Sequence, residues 1–365
     1  MHSPALSQWP ASRPSPDGDI LRRLRQKSLK AHELDAAASA LQAHGSSADP
    51  RLYTLAIQAY GRERRWQDCL GLLHGMRASA VEPSTITYNV AISACEKGMA
   101  WQQSIALLAE LPARLLRPDT ISFSATISAC AREGRWQKAL ALLTELEERG
   151  LEMEVVCCSA AMSAFARGGE WQRALGLFAG VLADGLEPNV ISYSVAVQAC
   201  ADEGAWLPAL ALLGQMRASE LAPDLLTCDA AIAACKRAEE WQWALALVAQ
   251  MRALGPAPDV IAYSAAISAC AKCSDSPERA FGLLTEMRQA SVPPNDFTYV
   301  AVLGACGPRG TWRRALPLLE EMRGRRSRPG IFALNAAISA CERGEEWRAA
   351  VALLAEVQAE GLEPQ

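Results

Sequence analysis

Apolar residues recur along the chain at the spacing of one face of an α-helix, in paired stretches of about 12 residues. Within residues 120–154, Phe123, Ile127 and Cys130 follow one another at intervals of four and three residues. A second such face follows Gly134 and consists of Trp136, Ala139, Leu140, Leu143 and Leu146. Gly150 then supplies the residue type that ends a helix in the left-handed conformation at little cost. The pattern predicts two antiparallel helices joined by short turns, and no part of it alternates as a strand does.

The same pair of helices is encoded repeatedly at a period of 35 residues. Tryptophans mark the period, with one longer interval of 71: Trp66, Trp101, Trp136, Trp171, Trp206, Trp241, Trp312 and Trp347. Cysteines keep the same register, with Phe165 in the one vacant place: Cys95, Cys130, Cys200, Cys235, Cys270, Cys306 and Cys341. Nine repeats follow, of which the seventh alone has 36 residues: 50–84, 85–119, 120–154, 155–189, 190–224, 225–259, 260–295, 296–330 and 331–365.

These repeats predict one elongated array in place of the two or three domains that a length of 365 residues would suggest. Two short helices cannot bury both of their apolar faces alone, so neighbouring repeats must stack into a solenoid. We expect the tryptophan that opens each second helix to wedge between adjacent repeats. We expect the periodic cysteines, which lie among small residues, to be reduced packing residues.

Composition and charge narrow the classes of function. The chain has 36 Lys plus Arg against 40 Asp plus Glu, a net charge of −4, which excludes a strongly basic nucleic-acid-binding tail. No stretch approaches the ~18 apolar residues of a membrane span, so we expect no membrane partner. The histidines all lie in the first fifth of the chain, and the lone Cys270-x-x-Cys273 lacks the second pair that a zinc site needs. We therefore expect no catalytic activity, no metal and no other cofactor.

The repeat resembles the pentatricopeptide repeat in how it opens and how it closes. Residues 86–89 read Ile-Thr-Tyr-Asn, and residues 185–189 read Gly-Leu-Glu-Pro-Asn. The Trp-Gln-x-Ala-Leu run from Trp136 to Leu140 is similar to a variant of the family abundant in algae. The related tetratricopeptide repeat has a period of 34 residues. The resemblance implies an all-α, right-handed superhelical solenoid of helix-turn-helix repeats that binds single-stranded RNA in organelles, one nucleotide per repeat.

The resemblance assigns base reading to two positions of each repeat, counted from its first residue. Position 5 is small and polar everywhere except at Val300: Thr54, Asn89, Ser124, Ser159, Ser194, Asp229, Ser264 and Asn335. The last position is polar everywhere except at Gly330: Ser84, Asp119, Glu154, Asn189, Asp224, Asp259, Asn295 and Gln365. Such side chains can donate or accept toward a base edge. Taken without the resemblance, the same residues are as typical of helix caps and turns.

Two further positions complete the predicted interface. Position 2 is apolar except at Arg51 and could sandwich a base between neighbouring repeats: Ile86, Ile121, Val156, Ile191, Leu226, Ile261, Phe297 and Phe332. Position 13 is basic in seven repeats and could contact phosphate: Arg62, Lys97, Arg132, Arg167, Arg237, Lys272 and Arg343. A basic residue there also suits the C-terminal end of a helix, so both interpretations stay open.

By the pairing pattern of the family, the nine repeats resemble readers of the RNA sequence purine-U-purine-A-G-any-A-any-pyrimidine. The clearer pairs resemble readers of uridine, adenine, guanine and adenine: Asn89 with Asp119, Ser159 with Asn189, Ser194 with Asp224, and Ser264 with Asn295. The leading function is sequence-selective binding of single-stranded RNA in organelle RNA stability, processing or translation. Protein partners would supply any catalytic step, and duplex DNA is not an expected partner. The alternative is a helical-repeat scaffold that holds a protein or peptide in its concave groove.

The residues before the first repeat differ from the array. Residues 1–18 form a leader whose first 16 residues lack acidic side chains, as in a plastid transit segment and as in a disordered leader. Residues 19–49 resemble a basic, degenerate helical hairpin that caps the first repeat. We expect an organellar protein, with the chloroplast favoured over the mitochondrion. The chain ends with the ninth repeat, so we expect a frayed last repeat or a longer natural protein.

Overall fold

The computed structural model describes residues 31–44, 49–272, 277–306, 311–324 and 330–359. These residues form nineteen α-helices and one short 3₁₀ helix, Thr311–Arg314, and contain no strand. The helices are α1 (Ala31–His44), α2 (Pro50–Arg62), α3 (Trp66–Ala78), α4 (Thr85–Lys97), α5 (Trp101–Ala113), α6 (Thr120–Arg132), α7 (Trp136–Glu148), α8 (Val155–Arg167), α9 (Trp171–Ala183), α10 (Val190–Asp202), α11 (Trp206–Ala218), α12 (Leu225–Arg237), α13 (Trp241–Leu254), α14 (Val260–Lys272), α15 (Pro277–Gln289), α16 (Asp296–Ala305), α17 (Ala315–Gly324), α18 (Ile331–Arg343) and α19 (Trp347–Ala359). The predicted all-α fold of helical repeats is confirmed.

Two left-handed residues in most repeats turn the chain between its helices. At position 15, between the first and second helix, Gly134 has φ 64°. At position 31, after the second helix, Gly150 has φ 67° and Leu115 has φ 60°. Glycine adopts this conformation without strain, whereas leucine does not, so Leu115 holds a less favourable backbone at the same structural position.

The chain forms two compact bodies, residues 1–168 and 169–365. In the first body, the first helices of the repeats (α2, α4, α6 and α8) pack side by side in a row. The second helices (α3, α5 and α7) each pack on their own partner and on the first helix of the following repeat. At position 4, Tyr53, Tyr88 and Phe123 are fully buried in this core. Helix α1 packs against α2 and α3 at one end of the body.

The second body repeats this arrangement. Helices α10, α12, α14, α16 and α18 form the row, and α9, α11, α13, α15 and α17 each pack on the next first helix. Tyr193, Tyr263 and Tyr299 occupy the buried position 4. The helices are less regular in the seventh and eighth repeats. Helix α15 of the 36-residue seventh repeat begins at Pro277 in place of a tryptophan, and both α16 and α17 of the eighth repeat have ten residues.

The periodic tryptophans whose side chains the structure describes are at most partly buried, and at least two of them pack between repeats. Trp66 lies against Gly98 of the next repeat, and Trp136 lies in the same way against Gly168. Trp347 remains 67% exposed. The eleven cysteines that the structure describes are all buried thiols. Burial raises the pKa of the Cys69 thiol to about 12 and that of Cys200 to about 11, so both thiols stay neutral at physiological pH.

The predicted leader (1–18) and residues 19–30 of the predicted capping hairpin lie outside the described residues, as do residues 360–365 of the last repeat. Among the helices described above, none combines the length and apolar character required to cross a bilayer.

Candidate nucleic-acid interface

The apolar side chains at position 2 form an exposed set on the first helices. All eight are exposed, by between 57% and 80%: Ile86, Ile121, Val156, Ile191, Leu226, Ile261, Phe297 and Phe332. Single exposed apolar side chains are common on proteins, but one in the same place in eight successive repeats is a patterned surface. Their role in sandwiching bases stays a prediction.

Position 5 lies beside position 2 but is less exposed than the sequence indicates. Thr54, Asn89, Ser194 and Ser264 are half-buried, because the first helix of the next repeat packs alongside. Ser159 is only 7% exposed, so this position-5 side chain is buried. Ser159 and Asn189 also belong to different compact bodies, and their pairing stays a prediction.

The last position of a repeat caps the first helix of the next. One side-chain oxygen of Asp119, Asn189, Asp224 and Asn295 accepts a hydrogen bond from the backbone N–H three residues ahead, at 2.8–2.9 Å. Glu154 makes no such bond. Helix capping is therefore established at these positions, and in each side chain it uses only one of the two polar atoms.

Sequence reasoning missed a third polar position. The hydroxyls at position 3 are buried, and each bonds the last residue of the preceding repeat: Thr87, Ser122, Ser192, Thr227 and Thr298. Most of them also bond position 5 of that preceding repeat; Thr54 and Thr87, for example, lie 2.9 Å apart. The signal was present as a Ser, Thr, Asp or Asn followed three residues later by Ser or Thr, the spacing of a capping box.

In repeat 2 the two predicted reading residues are bonded directly to each other. The amide nitrogen of Asn89 donates to both carboxylate oxygens of Asp119, at 3.0 and 3.1 Å. The Ser122 hydroxyl lies 2.6 Å from the Asn89 amide oxygen and 2.8 Å from Asp119 Oδ1. Burial alone would raise the pKa of Asp119, but the hydrogen bonds from Ser122 and Asn89 outweigh it and hold the pKa below its usual value. Asp119 is therefore an ionised hydrogen-bond acceptor at neutral pH.

Repeat 6 is the opposite case, because its position-3 neighbour is Ala262 and offers no hydroxyl. Oδ1 of Asp229 is buried without a hydrogen-bond partner, while Asp259 caps the backbone N–H groups of Ile261 and Ala262. Burial, followed by repulsion from the carboxylates of Asp259 and Asp224, raises the pKa of Asp229 to about 7. The carboxyl group of Asp229 is therefore partly protonated at neutral pH.

Repeat 7 shows how the predicted groups come together around open space. A concavity of 420 Å³ is lined by the predicted reading pair, Ser264 and Asn295, and by the position-2 side chains Ile261 and Phe297. The hydroxyl of Ser264 lies 2.7 Å from that of Thr298, which in turn donates to Asn295 at 2.8 Å. The concavity therefore combines apolar walls with a small polar centre, as expected of a site for a flat heterocyclic ring.

Basic residues at position 13 make contacts that their helices require. Arg167 donates to the backbone oxygen of Arg132 at 2.9 Å, and Arg237 donates to that of Asp202, in each case at the end of the preceding first helix. Arg132 also pairs with Glu96 at 3.3 Å. These bonds support the helix-terminus interpretation, and the exposed remainder of each guanidinium leaves phosphate contact as a prediction. The side chains of Lys272 and Gln365 lie outside the described residues.

Three family models match the chain and together cover more than half of it. The model described as PPR repeat matches residues 51–81 and 121–151, and the model described as Pentatricopeptide repeat domain matches 141–203 and 211–273. The model described as PPR repeat family matches 258–308. No curated protein matches the chain.

Solved structures with a similar fold include the pentatricopeptide repeat protein PPR10 from maize. It is 20% identical, with a TM-score of 0.54 over 96% of this chain and 64% of its own, so the chain spans less than two thirds of PPR10. PPR10 in complex with an 18-nt psaJ RNA element is 24% identical, with a TM-score of 0.44 over 96% of this chain and 51% of that one. The PPR domain of Arabidopsis thaliana protein-only RNase P 1 in complex with tRNA is 16% identical, with a TM-score of 0.44 over 53% and 100%. The first of these comparisons shows the shared fold.

Proposed function

The chain belongs to the pentatricopeptide repeat family, and from this premise we propose that it binds single-stranded RNA sequence-selectively, one nucleotide per repeat. Position 5 and the last position of each repeat read the base edge, and position-2 side chains of neighbouring repeats hold the base between them. The proposed target is purine-U-purine-A-G-any-A-any-pyrimidine, from the first repeat to the ninth.

The concavity of repeat 7 is the observation that carries this proposal. Ile261 and Phe297 are 63% and 80% exposed, although water would be expected to drive apolar side chains of this size inward. A base stacked between them would remove that apolar surface from water, and Ser264 and Asn295 between them would meet the polar edge of the base. A binding surface for unstacked bases accounts for both the apolar and the polar groups.

The net charge of −4 does not oppose RNA binding if basic groups lie near the reading positions. In the first body, Arg132 and Arg167 line a second concavity together with Ser128 and Ser163, two position-9 residues of the first helices. Arg132 uses two of its five N–H donors on the carboxylate of Glu96, which also lines this concavity, and Arg167 uses one on the backbone oxygen of Arg132. Further donors of both guanidinium groups remain for phosphate oxygens.

The test is fluorescence anisotropy of the full chain with a nine-nucleotide RNA of the proposed sequence and with its scramble, each at two salt concentrations. We expect tighter binding of the proposed sequence and weaker binding of both RNAs at higher salt. Equal affinity for the two RNAs would overturn the base assignments. Absence of binding to either RNA at low salt would overturn RNA binding and favour a protein or peptide in the groove.

A single substitution makes this test sharper. Asp224→Asn in repeat 5 should shift the preferred fifth nucleotide from guanine to adenine. Asn189 and Asn295 already cap helices from the same position, so the substitution preserves the start of α12. Asn295→Asp in repeat 7 is the reciprocal variant, and it should shift the seventh nucleotide from adenine toward guanine.

The cellular setting is part of the same proposal. The protein would act in an organelle, the chloroplast ahead of the mitochondrion, where coating an RNA segment alters its stability, processing or translation. Any cleavage or modification of that RNA would come from a protein partner. Fusion of residues 1–49 to a fluorescent protein tests the location, and a signal that stays outside both organelles would contradict it.

A further inference from the structure

We propose that, where position 3 of the following repeat carries a hydroxyl bonded to the reading pair, that residue is a specificity-determining positioning residue; Thr87, Ser122, Thr227 and Thr298 are such residues. The hydroxyl fixes which atoms of the pair are left to donate and which to accept. The inference rests on the proposed RNA binding, and it adds a third residue to those pairs.

In repeat 7, the hydroxyl of Thr298 sets the direction of the hydrogen bonds around the predicted reading pair. Asn295 Oδ1 accepts from the backbone N–H of Thr298 at 2.9 Å and from its hydroxyl at 2.8 Å. A hydroxyl has a single proton, so the neighbouring hydroxyl of Ser264, at 2.7 Å, must donate to Thr298. Thr298 also accepts from the backbone N–H of Asn295 at 3.2 Å, which completes its hydrogen bonding.

The polarity of this reading pair follows from that order. The hydroxyl proton of Ser264 is used in the bond to Thr298, so Ser264 can only accept a hydrogen bond from a base. The side-chain oxygen of Asn295 is used in the bonds from Thr298, so Asn295 presents its amide N–H donors to a base. An acceptor beside a donor complements a base edge that carries an amino group beside a ring nitrogen, as adenine does with N6 and N1.

In repeat 5, the same hydroxyl produces a different polarity because the last residue is an aspartate. Thr227 donates its hydroxyl proton to Asp224 Oδ1 at 2.5 Å, and its backbone N–H bonds the same oxygen at 2.8 Å. The proton of Ser194 goes either to Thr227, at 2.5 Å, or to the backbone oxygen of Val190, at 2.8 Å. The groove is left with acceptors on both residues, which complement the N1–H and N2–H₂ donors of guanine.

Removing the position-3 hydroxyl should therefore loosen selectivity more than affinity. In a Thr298→Val variant, the Ser264 hydroxyl is released to donate or accept, and the Asn295 amide keeps only its backbone bond. The pair then accommodates a base edge of either polarity. The shape of valine is close to that of threonine, so the buried position keeps its packing, while Thr298→Ser keeps the hydroxyl and should keep the selectivity.

The experiment compares dissociation constants for RNAs with adenine or guanine at the seventh nucleotide, for wild type, Thr298→Val and Thr298→Ser. The matched control is Thr285→Val, whose hydroxyl bonds only the backbone of its own exposed turn in α15. We expect the adenine preference to fall about fivefold or more in Thr298→Val, the loss of about one hydrogen bond, and to persist in Thr298→Ser and the control. Thermal melting of all variants reports their folding.

Unchanged adenine preference in a folded Thr298→Val variant would overturn the inference and leave the proposed function intact. Absence of RNA binding by wild type would overturn both. Should Thr298→Val fail to fold, Thr227→Val tests the same relation in repeat 5, where the guanine preference at the fifth nucleotide should fall and Thr227→Ser should retain it.

Discussion

The indole ring of Trp66 occupies the space in which a side chain on Gly98 would lie. A methyl group added to Gly98 would overlap Cδ1 of the ring and would come within 2.8 Å of Cγ. Trp66 opens the second helix of one repeat and Gly98 ends the first helix of the next, so this contact joins neighbouring repeats. Trp136 and Gly168 repeat the relation. At these two places in the first body, the stacking of repeats therefore depends on a tryptophan that packs against a glycine.

We expect Gly98→Ala to lower the free energy of unfolding by about 1–3 kcal/mol, the usual cost of overpacking. Gly71→Ala is the control, because a methyl group there meets nothing within 4 Å and should stabilise α3 by about 0.5–1 kcal/mol. Urea denaturation of both variants measures the two values. Equal effects of the same sign would contradict the contact with Trp66.

Leu115 should gain stability when it is replaced by glycine. Its φ of 60° strains a leucine, its side chain is 96% exposed, and the equivalent residue two repeats later in the chain is Gly185. We expect Leu115→Gly to stabilise the protein by about 0.5–1 kcal/mol, since relief of strain exceeds the entropy that glycine adds to the unfolded chain. Gly150→Ala, with φ 67° and open space around it, should show the opposite sign in the same denaturation assay.

Asp229 makes stability depend on pH in a direction unusual for a carboxyl group. Its pKa rises from 3.8 in the unfolded chain to about 7 in the folded one, so the folded state binds the extra proton between those values. Stability should therefore fall as pH rises from about 4 to about 7 and should level off above that range. Asp229→Asn should remove this slope and should stabilise the protein at pH 8 by on the order of 1–2 kcal/mol, allowing for partial solvent screening.

The measurement is thermal melting of wild type and Asp229→Asn from pH 4 to pH 8. The difference between the two proteins should grow with pH and then become constant. Asp119→Asn is the counterpart, because the pKa of Asp119 is lowered, and its loss should cost stability at neutral pH. A difference between wild type and Asp229→Asn that does not change with pH would show that Asp229 keeps an ordinary pKa.

Phe297→Ala should weaken RNA binding without destabilising the fold. The side chain is 80% exposed, so its loss removes little packing, whereas the loss of a stacking surface costs about 1–3 kcal/mol of binding, or roughly five- to a hundredfold. Leu254→Ala removes an equally exposed side chain, 83%, from the end of α13 and should leave affinity unchanged. Equal losses in the two variants would assign the effect of Phe297→Ala to something other than stacking.

Arg237→Ala separates the two roles of position 13. Loss of the bond to the Asp202 carbonyl should lower the free energy of unfolding by about 0.5–1 kcal/mol. If the guanidinium also neutralises a phosphate, the slope of log affinity against log salt should fall by about 0.7. Arg149→Ala, which removes an exposed charge at the end of a second helix, should leave that slope unchanged. A lower stability with an unchanged slope would assign Arg237 to the helix end alone.

The sequence was sufficient to predict features that follow from the 35-residue period. It was insufficient to predict features that depend on contacts with the next repeat. Ile261 and Phe297 could be placed on one surface because each occupies position 2. The role of Thr298 could not, because a threonine beside a core tyrosine is equally typical of a packing residue. The raised pKa of Asp229 depends on its burial and on the carboxylate of Asp259, 30 residues ahead. The partial exposure of Trp66 also depends on how the next repeat packs against its ring.

In most repeats the last side chain caps the next helix, and in the proposed function the same side chain also reads a base. The residue types suited to this position are consequently those, such as Asp119 and Asn295, that can do both. At Glu154 the side-chain hydrogen bond that caps the next helix is absent. A substitution that retargets one repeat therefore also changes the start of the first helix of the next repeat. Base preference and stability are coupled through this one residue, so redesign of the array must treat adjacent repeats together.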